Sequence, residues 1–224
     1  DPSRCAHLKP DMTPDDNDRV EIGPTDIAFA EWKAAGLVAP DMPALRAYRL
    51  ARLQEQIARH DCAGLLLFDP LNIRYATDTT NMQLWTTHNP ARAAFVPPQG
   101  KVILWDFHNC EHLSAHLPLV GEVRHGASFF YFETGDKTGA AAAHFVADIM
   151  GLMKTHGGSN RRLAVDKIEN AGYAALIANN VDVLEGQMLT EHARSIKNAN
   201  ELKAMRCAIH ACERAVDEMR DAMH

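Results

Sequence analysis

The chain has 224 residues, with 46% apolar and 23% charged side chains, so it is of ordinary globular composition and large enough for one domain plus part of another. A formal charge of -6 leaves no basic face and argues against nucleic-acid binding or a polybasic membrane anchor. No apolar run approaches the roughly 20 residues of a membrane helix, and five irregularly spaced cysteines do not form a disulfide framework, so a reducing, cytoplasmic setting is expected.

In chain order, residues 1–24 are polar, punctuated by proline and acidic at Asp11, Asp15, Asp16, Asp18 and Glu21. Such a segment buries too little apolar surface to fold alone and is expected to be an arm laid on something larger. Thr25 is placed to cap a short helix carrying Ile27, Phe29 and Trp32, with Gly36 ending it. Asp41 caps a second helix, with Pro43 in its first turn and Leu45, Leu53 and Ile57 on one face, stopping near His60.

Gly64 to Phe68 reads as a buried strand that ends at Asp69-Pro70. From there to Pro90 the chain is rich in Asn, Thr and Asp and reads as a loop, yet it carries Tyr75, Met82, Trp85 and His88. A polar loop holding large amphipathic side chains at a strand end is where α/β proteins place ligand contacts. The other reading is a loop that folds its aromatics onto its own domain.

A strand over Arg92–Val96, the turn Pro97-Pro98-Gln99-Gly100 and a strand over Lys101–Phe107 form a predicted hairpin. A helix is expected from Cys110 to Leu117 and extended chain from Glu122 to Phe132. Ala142, Phe145, Ile149, Leu152 and Met153 share one stripe of a helix over Thr138–His156. A strand (Arg162–Asp166), a helix (Asn170–Asn179) and a strand (Val181–Leu184) follow. Helices alternating with short apolar strands predict an α/β fold with a mixed β-sheet flanked by helices on both faces. Asn198 and Glu201 form a capping box opening a helix that reaches His224, whose stripe Leu202, Met205, Ile209, Val216, Met219 has nothing after it to cover it. That helix is expected to open a second domain continuing beyond the chain. The expected division is therefore an arm (1–40), an α/β domain (41–194), and a linker with the first helix of a truncated domain (195–224).

Several constellations suggest chemistry and are better explained by structure. His108, His112 and His116 recur every four residues on a possible helix, but lack a glutamate at the spacing of a zinc-binding helix and read as a solvated face. Cys207, His210 and Cys212 do not converge on one helix face, and Gly157-Gly158 does not precede a phosphate-cradling helix start. Asp166-Lys167 reads as a structural ion pair. No metal site is expected within the chain.

Two segments carry a family resemblance. Arg194-Ser-Ile-Lys-Asn-Ala-Asn-Glu-Leu-Lys-Ala-Met-Arg206 resembles the junction into the pita-bread metal domain of creatinase, prolidase and aminopeptidase P, and Asn72-Ile-Arg-Tyr75 resembles an element of the same superfamily's amino-terminal domain. Where the peptidases continue with Leu-Thr-Gly, this chain has Ala76-Thr-Asp-Thr-Thr-Asn-Met-Gln-Leu-Trp85. That loop, Asn17–Thr25 and Phe130–Lys137 are similar to the DddP-type dimethylsulfoniopropionate lyases of the superfamily.

The resemblance implies the amino-terminal part of a metal-dependent lyase that releases dimethyl sulfide and leaves acrylate by β-elimination. It also implies a homodimer whose active site is completed across the interface. The divalent or iron-type metal ions and the catalytic residues would lie in the catalytic domain, so none is assigned to this chain. Trp85 matches the loop tryptophan used at the lyases' substrate pocket, and an aromatic face attracts a sulfonium cation by about 0.5–2 kcal/mol. Tyr75 and His88, which no motif orients, stand beside it as substrate-side candidates. Two other readings fit the residues: a Xaa-Pro peptidase or creatinase-like hydrolase, and a non-catalytic dimerisation or interaction module.

Overall fold

The computed structural model describes residues 24–114 and 116–223, apart from the side chain of Gln83. The acidic arm expected at the start of the chain lies, through residue 23, outside the described residues. Helix α1 (Asp26–Ala34) is capped by Thr25, whose hydroxyl accepts the Ala28 N–H, and Trp32 is its buried anchor. Helix α2 (Met42–Arg59) starts at the Asp41 cap, with Pro43 in the first turn. It buries Leu45, Leu50, Leu53 and Ile57, the last three spaced by three and four residues on one face.

Six strands form one sheet: β1 (Gly64–Leu67), β2 (Ala93–Val96), β3 (Val102–Trp105), β4 (Val120–Arg124), β5 (Arg162–Val165) and β6 (Asp182–Glu185), in the order β4-β3-β2-β1-β5-β6. Strand β2 runs against both β1 and β3, making the predicted hairpin with β3, while the other neighbours are parallel. Successive side chains alternate between two cores. Leu66, Phe95, Ile103 and Leu163 meet Phe145, Ile149 and Leu176 of helices α6 (Thr138–Gly157) and α7 (Asn170–Ala178). Leu65, Leu67, Ala94, Leu104 and Ala164 meet Leu53 and Ile57 of α2, Ile73 and Tyr75, and Leu189 and Ala193. The mixed α/β architecture with helices on both faces is thus as the pattern predicts.

The expected loop from Asp69 to Pro90 is instead two helices, α3 (Pro70–Thr77) and α4 (Gln83–His88), joined by residues 78–82. The Asp-Pro pair that ends β1 also begins α3. The Asp69 carboxylate accepts the Leu71 and Asn72 N–H groups at 2.9 and 3.2 Å, and Pro70 occupies the first turn, where a missing donor costs nothing. Asp78 ends α3 in the left-handed region (φ 64°), with its carboxylate 2.7 Å from Arg46 Nε.

Three further expectations change. The helix expected at Cys110–Leu117 is a single 3-10 turn, Glu111–Leu113, entered through left-handed Asn109. The segment has no apolar stripe to offset the cost of helix nucleation. Extended chain after β4 gives way at Gly126 (φ 91°) and ends in the one-turn helix α5 (Tyr131–Thr134). The run of aromatics is thereby divided, with Phe129 and Phe130 buried and Tyr131 and Phe132 72% and 85% exposed. Between β6 and the C-terminal helix lies an unexpected helix, α8 (Gly186–Ser195), capped by Glu185 and buried through Leu189, Thr190 and Ala193. Helix α9 (Ala199–Ala222) begins at the predicted Asn198–Glu201 capping box, and Leu202, Met205, Ile209, Val216 and Met219 are exposed along it.

Candidate functional site

The carboxyl ends of parallel strands β1, β3 and β5 are each followed by an aspartate: Asp69, Asp106 and Asp166. This is the sheet edge at which α/β proteins place ligand sites. Here each carboxylate is committed to structure. Asp69 caps α3. Asp106 lies opposite Arg92, with Oδ2 2.9 Å from Nη2, and both side chains are sealed from solvent. Arg92 Nη2 also donates to Thr79 Oγ1 at 2.7 Å, and Asn81 Nδ2 donates to Asp106 Oδ1 at 2.9 Å. The buried pair therefore ties residues 78–82, which carry α4, to the ends of β2 and β3. The other guanidinium nitrogens, Nε and Nη1, have no partner among the described residues.

Asp166 accepts the backbone N–H groups of Phe68 (2.8 Å) and Asp69 (3.2 Å) and the side-chain amide of Asn72 (3.0 Å). Burial, opposed by those hydrogen bonds, pushes its carboxyl up to about 6. Asn72 Oδ1 in turn accepts from Arg194 Nη1 at 2.9 Å, linking β1, α3, β5 and α8. The expected Asp166–Lys167 ion pair does not form: Lys167 Nζ donates instead to the Thr87 carbonyl at 2.9 Å and fastens α4.

Trp85 sits on α4 over this edge. Its ring lies 5.7 Å from Phe107 at 58° and 6.2 Å from Phe130 at 72°, and 38% of the residue remains exposed. Such a face, backed by two rings and open on the other side, can take a cation. His88 is exposed at the end of the same helix, three residues on. Exposed Met82, Leu84, Tyr131 and Phe132 lie on or beside α4 and α5, making this an apolar surface as well as an aromatic one.

Tyr75 is placed differently. Its hydroxyl donates to the Ala193 carbonyl at 3.3 Å, Arg49 lies over its ring at 5.1 Å, and burial with nearby Glu201 raises its phenol to about 12. It lines a recess with residues of α2 and α9, and ring contacts join Trp85 to Phe107 and Phe130 but not to Tyr75. The sequence reading missed Phe107 and Phe130 as the supports of Trp85, as well as the Arg92–Asp106 anchor. The alternation of β3 could have placed Asp106, but nothing local could have paired it with Arg92.

The His108/His112/His116 face is not on a helix. His108 stacks on His125 with centroids 4.2 Å apart, and His125 Nε2 lies 2.9 Å from Glu111 Oε1. Cys207 is buried, with Sγ 3.8 Å from the Val38 carbonyl, and Cys212 is exposed. Among the described residues no group of three or more His, Cys, Asp or Glu is arranged to hold a metal ion. Among them, too, no helix is long and apolar enough to cross a membrane.

Comparison with known proteins gives this architecture its class. The model of the creatinase/prolidase N-terminal domain matches residues 49–220, and the chain belongs to that family. Within it, the chain is 52% identical over 219 residues to the dimethylsulfoniopropionate lyase DddP of Roseovarius nubinhibens, covering 98% of this chain and 49% of the relative. It is 51% identical over 221 residues to the enzyme of the same name from Roseobacter denitrificans, covering 99% and 49%. The chain thus spans about half the length of these curated relatives. Among solved structures, the prolidase from Pyrococcus horikoshii OT3 aligns with 75% of this chain and 41% of its own at 11% identity and a TM-score of 0.49. A Streptococcus pyogenes Xaa-Pro aminopeptidase structure aligns with 68% of this chain and 99% of its own at 14% identity and a TM-score of 0.43.

Proposed function

We propose that this chain is the substrate-capping and dimerising portion of a lyase that cleaves dimethylsulfoniopropionate to dimethyl sulfide and acrylate. The observation that carries the reading is the 52% identity to a named dimethylsulfoniopropionate lyase, sustained over 98% of the chain. The match spans 98% of the chain and so takes in the loop 78–82 and α4, the segment that departs from the peptidase pattern. In this reading residues 195–224 are the linker and first helix of a pita-bread domain, and the divalent or iron-type metal ions are held by that domain.

The described residues do not fit a metal ion, so the chain's own contribution is recognition. Trp85 presents its face to the dimethylsulfonium cation, an attraction of about 0.5–2 kcal/mol depending on how far water is excluded. Phe107 and Phe130 hold the ring in place. His88, and the exposed side chains of α4 and α5, face the partner subunit whose active site this surface closes. Tyr75 acts from the recess on the α9 side, and not in contact with Trp85.

The test is to assay the full-length protein, loaded with ferrous or other divalent metal, for dimethyl sulfide by gas chromatography, with Xaa-Pro dipeptides as competing substrates. Dimethyl sulfide release with dipeptides untouched is expected. Dipeptide hydrolysis without dimethyl sulfide would overturn the lyase reading, and neither activity would leave an interaction module as the better description.

A further inference from the structure

The recess lined by Tyr75 has a volume of about 370 Å³, within the size range of small-molecule sites. Its walls are Arg49 and Tyr75 from α2 and α3, Arg194 and Lys197 from the end of α8 and the following linker, and Glu201, Ala204, Met205 and Ala208 from α9. Three cations therefore face one carboxylate, in a chain whose formal charge is -6. That carboxylate is fully occupied. Glu201 Oε1 meets Arg49 Nε at 2.9 Å and Oε2 accepts the Asn198 N–H at 3.2 Å, closing the capping box.

Arg49 is thereby neutralised, and it also covers the Tyr75 ring. Arg194 and Lys197 are not neutralised inside the recess. Arg194 uses Nη1 on the neutral amide of Asn72 and reaches only the outward Glu191, at 3.5 Å. Lys197 Nζ donates to the Arg194 carbonyl, and no carboxylate pairs with it among the described residues. Glu201, Ala204, Met205 and Ala208, on one side of the first three turns of α9, form the opposite wall. The rest of the lining includes apolar Ala204, Met205 and Ala208.

We propose that this recess binds a small organic carboxylate, its anionic end between Arg194 and Lys197 and its short apolar portion against Ala204, Met205 and Ala208. Because its walls come from both sides of the linker at residues 195–198, a bound carboxylate clamps α9 to the α/β body. Binding only the assembled form, it raises stability by mass action. The site shares no residue with the Trp85 cluster; it shares Tyr75 with the proposed substrate side, but carboxylate binding here is tested by titration, without reference to lyase activity.

Butyrate is the probe and butyramide the uncharged control of the same shape, each titrated calorimetrically into the purified protein at constant ionic strength. Butyrate is expected to bind in the millimolar range with an increase in melting temperature, and butyramide at least tenfold more weakly. Lys197→Gln should weaken butyrate about tenfold, the loss of one charge-assisted hydrogen bond. Met205→Trp, at a half-exposed position, fills the recess without changing charge and should abolish binding while the protein without ligand melts as before. Equal responses to butyrate and butyramide, or unchanged butyrate affinity in Lys197→Gln and Met205→Trp, would overturn the proposal.

Discussion

At the scale of single residues, Trp85 makes a prediction about recognition and Asp166 one about stability. Trp85 is backed by Phe107 and Phe130 and open on its remaining side. If that face receives the sulfonium, Trp85→Leu keeps bulk but loses the ring quadrupole. It should lower kcat/KM of the full-length protein by roughly 5–30-fold, with Trp85→Phe less damaging and melting temperatures little changed. A neutral thioether analogue should bind the wild type more weakly than the substrate and lose little more in the Leu variant. Equal losses for both ligands, accompanied by a fall in melting temperature, would make Trp85 a packing residue. Asp166 makes a pH prediction. Its carboxyl is raised by burial from 3.8 to about 6, so the folded state takes up a proton before the unfolded chain does. The burial penalty is fully present above about pH 6 and is relieved as pH falls toward 3.8, by on the order of 2–3 kcal/mol. Asp166→Asn should remove this component from the pH dependence of denaturant unfolding between pH 4 and 6.5. At neutral pH it should still destabilise by about 1–3 kcal/mol, because an amide NH₂ cannot accept the bonds that both Asp166 oxygens now accept.

At the scale of elements, the placement of α4 depends on a buried ion pair more than on its own six residues. A helix that short has little intrinsic stability, so its position follows from the Arg92–Asp106 anchor, Thr79, Asn81 and the Lys167–Thr87 bond. Arg92→Met leaves Asp106 buried without its counter-charge and should cost about 3–5 kcal/mol. It should also open the 78–88 segment to limited proteolysis. Adding Asp106→Leu to it should recover stability without restoring protease resistance, since the tie to Asn81 is lost with the carboxylate. Helix α8 carries a second constraint of this kind. A Cβ at Gly186 would lie 2.5 Å from the Val165 carbonyl carbon and 2.6 Å from the Asp166 nitrogen. Both are backbone atoms in the sheet and cannot yield, so Gly186→Ala should destabilise by about 1–3 kcal/mol or more, read as a lower denaturation midpoint.

At the scale of the whole molecule, the proposed homodimer would cover the exposed apolar surface of α4 and α5. Met82, Leu84, Tyr131 and Phe132 are each more than half exposed, an apolar grouping that monomeric surfaces rarely keep. If the intact protein is a homodimer that completes each active site across the interface, subunits with different defects should complement. A full-length Trp85→Ala subunit mixed with one disabled at its metal site should, after subunit exchange, show activity above either parent. Exchange demonstrated by mass spectrometry with no gain in activity would place both functions within one subunit.

The residues alone determined the fold class, because strand alternation and helical stripes are local and repeat. The caps at Thr25, Asp41 and Asn198 and the hairpin at 97–100 were readable in the same way, since each is a local hydrogen-bonding or turn signal. Trp85 too was singled out from sequence, through a family pattern. Local pattern failed where a segment is short or has two meanings. Asp69-Pro70 both ends β1 and caps α3, and α8 is held by three buried residues and the backbone contact at Gly186 more than by a long stripe. Only the tertiary structure decided how the candidates group, because Arg92 and Asp106, Asn72 and Arg194, and Arg49 and Glu201 are separated by 14, 122 and 152 residues. Their pairing depends on strand order and helix packing, which bring distant charges into one low-dielectric interior. For that reason Trp85 and Tyr75, ten positions apart in sequence, have different surroundings: one over the carboxyl edge of the sheet, the other in a cationic recess against α9.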